Sequence, residues 1–285
     1  MLLNRIQNAG VILSLNRLSF YLHIPHSTFY HKQKQQSKDE IVKDQIIHVL
    51  SSNPSYGYRR IALALRIGKR RVKRVMRLYG IKPYKRKARW RKRRDERRNT
   101  TPYENIIKSV CPIKPYVIWI SDFTYIRYQE KFLYLATFMD RFTREIVGWD
   151  ISTKHTKSLI IDAFWNAVKT TGKIPDIVHS DQGVEYTSES YTGLMSKLDI
   201  KVSMSKKASP WENAYQESFY NNFKTDLGLE FDRFSSVGEL IEAIHHTINY
   251  YNQVRIHTTL KMSPTKYRLL QEQKVLEEVV EKMST

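Results

Sequence analysis

The stretch VIWISDFTYIRYQEKFLYLATFMDRFTREIVGWDIST, residues 117–153, decides how this chain folds. It holds three successive runs rich in β-branched and aromatic residues, VIWISDFTYIRY, KFLYLATFMDRF and EIVGWDIST. Short polar breaks at Gln129-Glu130 and near Thr143-Arg144 separate them, so they read as an antiparallel meander of strands. The first run is apolar on both faces, as a central strand covered on two sides must be. Strand alternation puts Asp122 on the same side as Ile118, Ile120, Thr124 and Ile126. A carboxylate there is costly unless something compensates it, and a cation is the natural candidate.

Downstream, KSLIIDAFWNAVKT reads as a helix ending near Gly172, DIVHS as a short strand, and SESYTGLMSKLDI as a helix. KVSMS follows as a strand and NAYQESFYNNFKTDLG as a helix. The order β-β-β-α-β-α-β-α describes an α/β sheet with helices on its faces. Asp181 follows the DIVHS strand, with Gly183 suited to the turn, and ligand sites gather at the carboxyl ends of such strands. Around the last helix Asn213, Glu217, Asn221 and Lys224 share one face. Tyr215, Phe219, Phe223 and Leu227 share the opposite one, which is expected to pack on the sheet edge. That the Glu217 strip faces the two aspartates is inferred from this arrangement. Three carboxylates from two strands and a helix suit two Mg²⁺ ions, with Mn²⁺ as the alternative, and such pairs serve phosphodiester chemistry. Spacing alone does not decide this, because Asp140, Asp150, Glu130 and Glu212 are also available and a strand-end aspartate is commonly a turn residue. The local contexts together carry the assignment.

Upstream the composition changes. The net charge of the 285 residues is +20, and residues 1–110 carry 27 Lys and Arg against 6 Asp and Glu, whereas 111–285 carry 21 against 22. A polycation of this size in one part of a chain points to a polyphosphate partner. LNRLSFYLHI reads as a helix, and Ser27 is placed to cap a second, STFYHKQK. Residues 35–40 read as a polar linker, followed by a helix over 41–52 and two more in SYGYRRIALALR and KRRVKRVMRLYG, punctuated by Gly57 and Gly68. In the last, Val72, Val75, Met76 and Tyr79 form an apolar stripe beside basic faces. This is either a helix-turn-helix-like unit or a generic basic bundle. Its candidate phosphate contacts are Arg59, Arg60, Lys69, Arg70, Arg71, Lys73, Arg74 and Arg77. Residues 82–98 form a like-charged arm in which Trp90 either stacks on a base or anchors the arm. The single cysteine, Cys111, excludes an internal disulfide and a Cys-rich zinc module. No apolar run reaches the roughly 18 residues of a membrane helix, and the first residues lack a signal peptide's pattern, so a cytoplasmic, nucleoid-associated protein is expected.

Several of these segments resemble one family. WISDFTYI, HSDQGVEYTS and SMSKKASPWENAYQESFYNNFK are similar to the three carboxylate motifs of second-frame (OrfB) bacterial insertion-sequence transposases, DDE enzymes related to retroviral integrases. Asp181 and Glu217 have the family's usual gap of 35 residues between them, and Lys224 follows the glutamate by seven. YYNQVRIHTTLKMSP, with Asn252, Arg255, His257 and Pro264, resembles the closing motif; SYGYRRIALAL and KRVMRLYGIKP resemble the basic DNA-binding segment. The resemblance covers nearly the whole chain. Glu212 and Asp226 depart from it, at positions where aspartate and glutamate respectively are commoner.

The resemblance implies a ribonuclease-H-like integrase core, a mixed sheet with flanking helices, preceded by a basic all-helical region. The expected division is a helical segment at 1–36, a helix-turn-helix-like region at 40–82, a basic linker at 83–110, the core at 111–270 and a helical tail at 271–285. It further implies that Asp122, Asp181 and Glu217 are the catalytic metal ligands for DNA cleavage and strand transfer. Asp140, His179 and Asn213 are expected in supporting roles. Lys224 either contacts DNA or is a solvated helix lysine, and Arg255 with His257 either binds phosphate or ties the last long helix to the core. The implied partners are insertion-sequence ends and target DNA, further copies of the chain, and a first-frame (OrfA) product. A nuclease or resolvase that cuts without joining, and a non-catalytic DNA-binding regulator, are the alternatives.

Overall fold

A computed structural model describes residues 15–25, 34–85, 103–206, 213–228 and 233–283. The cap at Ser27 with its short helix, most of the basic arm including Trp90, and Trp211 and Glu212 lie outside them. After a helix at Leu15–Leu22 (α1), the basic half contains α2 (Lys34–Ser52), α3 (Tyr58–Leu65) and α4 (Lys69–Leu78). The expected linker at 35–40 is instead the opening of α2. It contains no Gly or Pro to interrupt a helix, and Asp39 is buried in a two-pronged pair with Arg74, both bonds 2.6 Å. α2, α3 and α4 enclose a small core of Val42, Ile46, Tyr56, Ile61, Ala62, Val72, Val75 and Met76, which uses the expected stripe of α4. Gly57 and Gly68 precede α3 and α4, and α3 ends at Arg66 in the left-handed conformation.

The second half is built on a five-stranded sheet in the order β3-β2-β1-β4-β5. β1 (Ile118–Tyr128), β2 (Lys131–Asp140) and β3 (Ile146–Ser152) form the expected meander, with β4 (Ile177–Ser180) parallel to β1 and β5 (Lys201–Met204) parallel to β4. The positive φ of Gln129 and Glu130 marks the first turn, and that of Arg144 the second. On one face, α5 (Lys157–Thr171) and α6 (Glu189–Lys197) pack over Trp119, Phe138 and Val178. α5 lies so close to β3 that a Cβ on Gly148 would stand 2.4 Å from Ala167 Cβ. On the other face α7 (Ala214–Leu227) and α8 (Val237–Gln253) bury Phe219, Phe223, Leu240 and Ile244 against Ile126, Leu135 and Met139. α7 therefore lies across the sheet face over β1 and β2, not at the edge. Its buried side is Gln216, Phe219, Tyr220, Phe223 and Leu227. Tyr215 falls outside this side, exposed under the Arg144 guanidinium 3.7 Å from its ring. α9 (Pro264–Met283) opens on the expected proline and runs unbroken past residue 270. No helix of the described residues is long and apolar enough to cross a membrane.

The helical unit meets the sheet layers through polar bonds. The loop between α2 and α3 supplies Ser55 Oγ, which donates to Asp226 Oδ1 at 2.5 Å. It also supplies Asn53 Oδ1, which accepts from Tyr250 at 2.6 Å, and Tyr56 Oη, which accepts from Ile256 N–H at 2.8 Å. Arg60 Nε donates to the Ile256 carbonyl at 2.9 Å. Among the described residues of the second half, Ile256 packs against the helical core.

Candidate active site

The sheet register brings two of the three predicted carboxylates together. β1 and β4 run parallel with Ile120 opposite His179. Two residues further along each chain come Asp122 and, just past the end of β4, Asp181, so the aspartates are level on neighbouring strand paths about 4.8 Å apart. Asp181 is held by an Asx turn in which its Oδ1 accepts the Gly183 N–H at 2.9 Å. A Cβ on Gly183 would lie 3.0 Å from that oxygen and 3.2 Å from Glu185 Oε2, so a fourth carboxylate converges on the same turn. Glu185 is in turn paired with His155 Nδ1 at 2.9 Å.

Glu217 comes from above. On either side of it in α7, Gln216 Nε2 donates to the Ile120 carbonyl at 2.6 Å and Tyr220 Oη donates to the Asp122 carbonyl at 2.6 Å. These bonds fix the turn that carries Glu217 directly over residues 120–122. Buried polar groups so satisfied hold their element in one place. Thr137 adds bonds to both side chains, 3.2 Å to Gln216 and 2.8 Å to Tyr220. Lys224 lies on the Glu217 flank, tied to the Tyr125 carbonyl at 2.9 Å.

The electrostatics follow from this crowding. Burial, reinforced by the negative charges of Asp181 and Glu217, pushes Asp122 up to about 7, against the opposing Phe123 N–H and Lys224. Burial also raises Asp181, with Glu185 adding to the effect and the Gly183 N–H and His155 opposing it. Among the described residues no three His, Cys, Asp or Glu side chains form a ready cage for an ion. The donor set nevertheless fits a hard divalent cation. It is all carboxylate oxygen, its repulsion is what a cation relieves, and Mg²⁺ characteristically completes its shell with water and substrate phosphate.

The other expected residues fall elsewhere. Asp140 is fully buried and accepts from Tyr116 N–H, Thr143 N–H and Thr143 Oγ1 at 2.7–2.8 Å, which fastens the β2–β3 turn to the approach to β1. His179 Nδ1 meets Ser203 Oγ at 2.9 Å between β4 and β5. Asn213 is buried at the start of α7 without capping it. Arg255, a candidate phosphate contact, is instead only 3% exposed and tied by ion pair to Asp226, with further bonds to Asn222 at 3.1 Å and Ser55 at 3.3 Å. Its neighbour His257 is pushed down to about 4 by burial and by Arg144, Arg60 and Arg255.

Among the candidate DNA contacts of the helical unit, Arg74 is committed to Asp39, Arg71 donates to the Lys38 carbonyl at 3.1 Å and Arg60 to Ile256. Arg59, Lys69, Arg70, Lys73 and Arg77 are exposed. Arg59 and Lys73 gather over the Tyr58 ring at 5.8 and 5.7 Å. Sequence reasoning missed Gln216, Tyr220, Glu185 and the Ser55–Asp226–Arg255 link. Gln216 and Tyr220 did carry a signal, polar atoms each one position beyond a member of the aromatic stripe.

A three-layer fold with this sheet order, with Asp122 on β1 and Asp181 just past β4 beside a covering helix, has the architecture of a ribonuclease-H-like integrase core. Residues 112–210 match the family described as an integrase core domain, and residues 198–264 match a second family of the same description. The chain is 31% identical over 257 residues to the putative transposase InsK of insertion element IS150 from Escherichia coli K12, covering 86% of this chain and 90% of that protein. It is 33% identical over 246 residues to the transposase of IS904 from Lactococcus lactis, covering 82% and 95%. The fold also matches a chain of the simian T-cell lymphotropic virus intasome at a TM-score of 0.50 and 15% identity, covering 79% of this chain and 73% of that one. The chain belongs to the bacterial insertion-sequence transposases of the DDE integrase superfamily.

Proposed function

We propose that this protein cleaves DNA at the ends of an insertion sequence and joins those ends to target DNA, with Asp122, Asp181 and Glu217 as its catalytic carboxylates. The observation that carries the reading is the level placement of Asp122 on β1 and Asp181 just past the end of parallel β4, beneath a helix turn pinned there by Gln216 and Tyr220. The three carboxylates would hold two divalent cations, Mg²⁺ or Mn²⁺, which supply activation of an attacking oxygen and stabilisation of a leaving one. The chain's own residues position charge. Asp122 and Asp181 set the base of the site, Glu217 closes it from α7, and Lys224 stands beside them as a cation for the substrate strand. Water would first attack a phosphodiester at the element's end and release a 3′-hydroxyl. That hydroxyl would attack a second phosphodiester and exchange one bond for another without external energy. Exposed Arg59, Lys69, Arg70, Lys73 and Arg77 would hold duplex phosphates. The enzyme would work in the bacterial cytoplasm as a multimer on paired ends, alone or fused to a first-frame partner.

The test is cleavage and joining of labelled DNA carrying the flanking element ends, with Mg²⁺, with chelator, and with Glu217→Gln, in the chain alone and fused to its first-frame partner. Metal-dependent joining abolished by Glu217→Gln is expected. Cutting without joining would make it a nuclease, and salt-sensitive binding without turnover in either form would make it a regulator.

A further inference from the structure

Past the level of Asp122 and Asp181, β4 has ended and β1 continues to Tyr128 in a hairpin with β2. One face of this hairpin, Ile126, Tyr128, Leu133 and Leu135, is buried under α7 and α8. The opposite face is aromatic, and its outer part is open to solvent: Tyr125 is 43% and Phe132 46% exposed. The two rings meet edge to face at 5.5 Å. Tyr134 stands opposite Tyr125 in the register, and His155 packs 5.0 Å from Tyr134 and 4.1 Å from Phe123, the residue next to Asp122. A band of rings thus runs along the sheet face opposite the Asp122 side chain, and it reaches the carboxylate site through His155, which pairs with Glu185 beside the Asp181 turn. Lys224 Nζ sits 4.9 Å over Tyr125, and the exposed Arg127 stands opposite Phe132 in the register, while Glu130 is the one acid between residues 123 and 134.

We propose that this aromatic face is a stacking platform for unpaired bases of the DNA strand that enters the site. Rings with cations at their margin are what unpaired nucleic acid selects, because every base offers a π-face and every linkage a negative charge. A duplex cannot use such a surface, since its bases are already stacked on one another. A strand end separated from its complement beside the carboxylates can. Cross-strand ring pairs also stabilise hairpins, but that role needs only ring-to-ring packing and gives DNA binding no preference for unpaired bases.

The proposal rests on the DNA strand-transfer reading above, and the two fail differently. The probe is an end duplex with a short unpaired tail containing 2-aminopurine, compared with the same duplex made blunt, bound to the full chain in chelator so that no strand is cut. Tyr125→Ala and Phe132→Ala are expected each to weaken tailed-duplex binding about ten-fold and to relieve quenching of the tail, with blunt-duplex binding unchanged. Tyr125→Phe should retain both properties, and melting temperatures should show that the variants fold. Unchanged binding and quenching of the tail, or equal losses on both duplexes, overturns the platform. So does a change of molar mass by light scattering with DNA binding intact, which would make the face a protein contact. If the unsubstituted chain binds neither duplex, the strand-transfer reading itself falls.

Discussion

Tyr220 donates its hydroxyl hydrogen to the main-chain carbonyl of Asp122 at 2.6 Å, so the helix that carries Glu217 is bonded to the very residue whose carboxylate Glu217 opposes. Glu217 reaches the site from a separate element nearly a hundred residues later in the chain, and this bond, with that of Gln216, sets where it arrives. Tyr220→Phe keeps the ring in the core and removes the bond. It is expected to lower stability by about 1–3 kcal/mol, because the Asp122 carbonyl and Thr137 hydroxyl lose a buried partner. Cleavage should fall further than stability explains, by roughly 10- to 100-fold, since small displacements of a catalytic group are expensive. Urea titration beside a single-turnover cleavage assay separates the two effects.

The raised pKa of Asp122 sets a pH dependence for the metal-free protein. The folded carboxyl ionises at about 7 and an ordinary aspartate at 3.8, so the folded state binds the proton more tightly. Stability from this group is fully present below 3.8 and is lost as pH rises through about 7. Asp122→Asn cannot ionise. Measured without metal, it should match the parent near pH 4 and exceed it at pH 8 by on the order of 2–4 kcal/mol. A parent that is the more stable at pH 8 would contradict the crowding described here.

Divalent metal should reverse that ordering. A cation bound by the folded state alone stabilises it by mass action, about 2.7 kcal/mol at a hundred times the dissociation constant. Mg²⁺ or Mn²⁺ is therefore expected to raise the melting temperature of the parent at pH 8 and to leave Asp122→Asn nearly unmoved. Equal shifts in both proteins would place the metal elsewhere.

Arginines of the helical unit should separate into two behaviours. Arg77→Ala removes an exposed cation and is expected to weaken DNA binding while lowering the slope of log affinity against log salt by about one. Arg74→Ala instead leaves the buried Asp39 carboxylate without its partner, and the expected result is a lowered melting temperature with the salt slope of DNA binding unchanged. Binding isotherms across a salt series and thermal melts of both variants give the comparison.

Much of this protein was legible in the chain because its catalytic half obeys local rules. Strand alternation placed Asp122 on a covered central strand, the short apolar run before Asp181 read as β4, and Gly172 ended α5 where expected. The errors come where a distant partner overrules local composition. The polar opening of α2 looked like a linker because its stabilising contact, Arg74, lies 35 residues away. Arg255 stayed open between a phosphate contact and a tie to the core because nothing near it in sequence announces Asp226 and Ser55, at separations of 29 and 200 residues. The placement of α7 was half legible. Its aromatic stripe was plain, but period alone assigned Tyr215 to the buried side and could not say whether the helix met an edge or a face. Gln216 and Tyr220, each one position beyond a member of that stripe, carry polar atoms that the sheet satisfies.

The seam between the helical unit and the sheet layers has a mechanical meaning. Ser55, Asn53, Tyr56 and Arg60 cross it by hydrogen bonds, whereas each side keeps its own greasy interior and little beyond Ile256 is shared. Water can replace hydrogen bonds at small net cost but cannot replace buried hydrocarbon. The seam is thus the weaker of the molecule's junctions: parting it would cost hydrogen bonds and the Ile256 contact, and would leave both interiors intact.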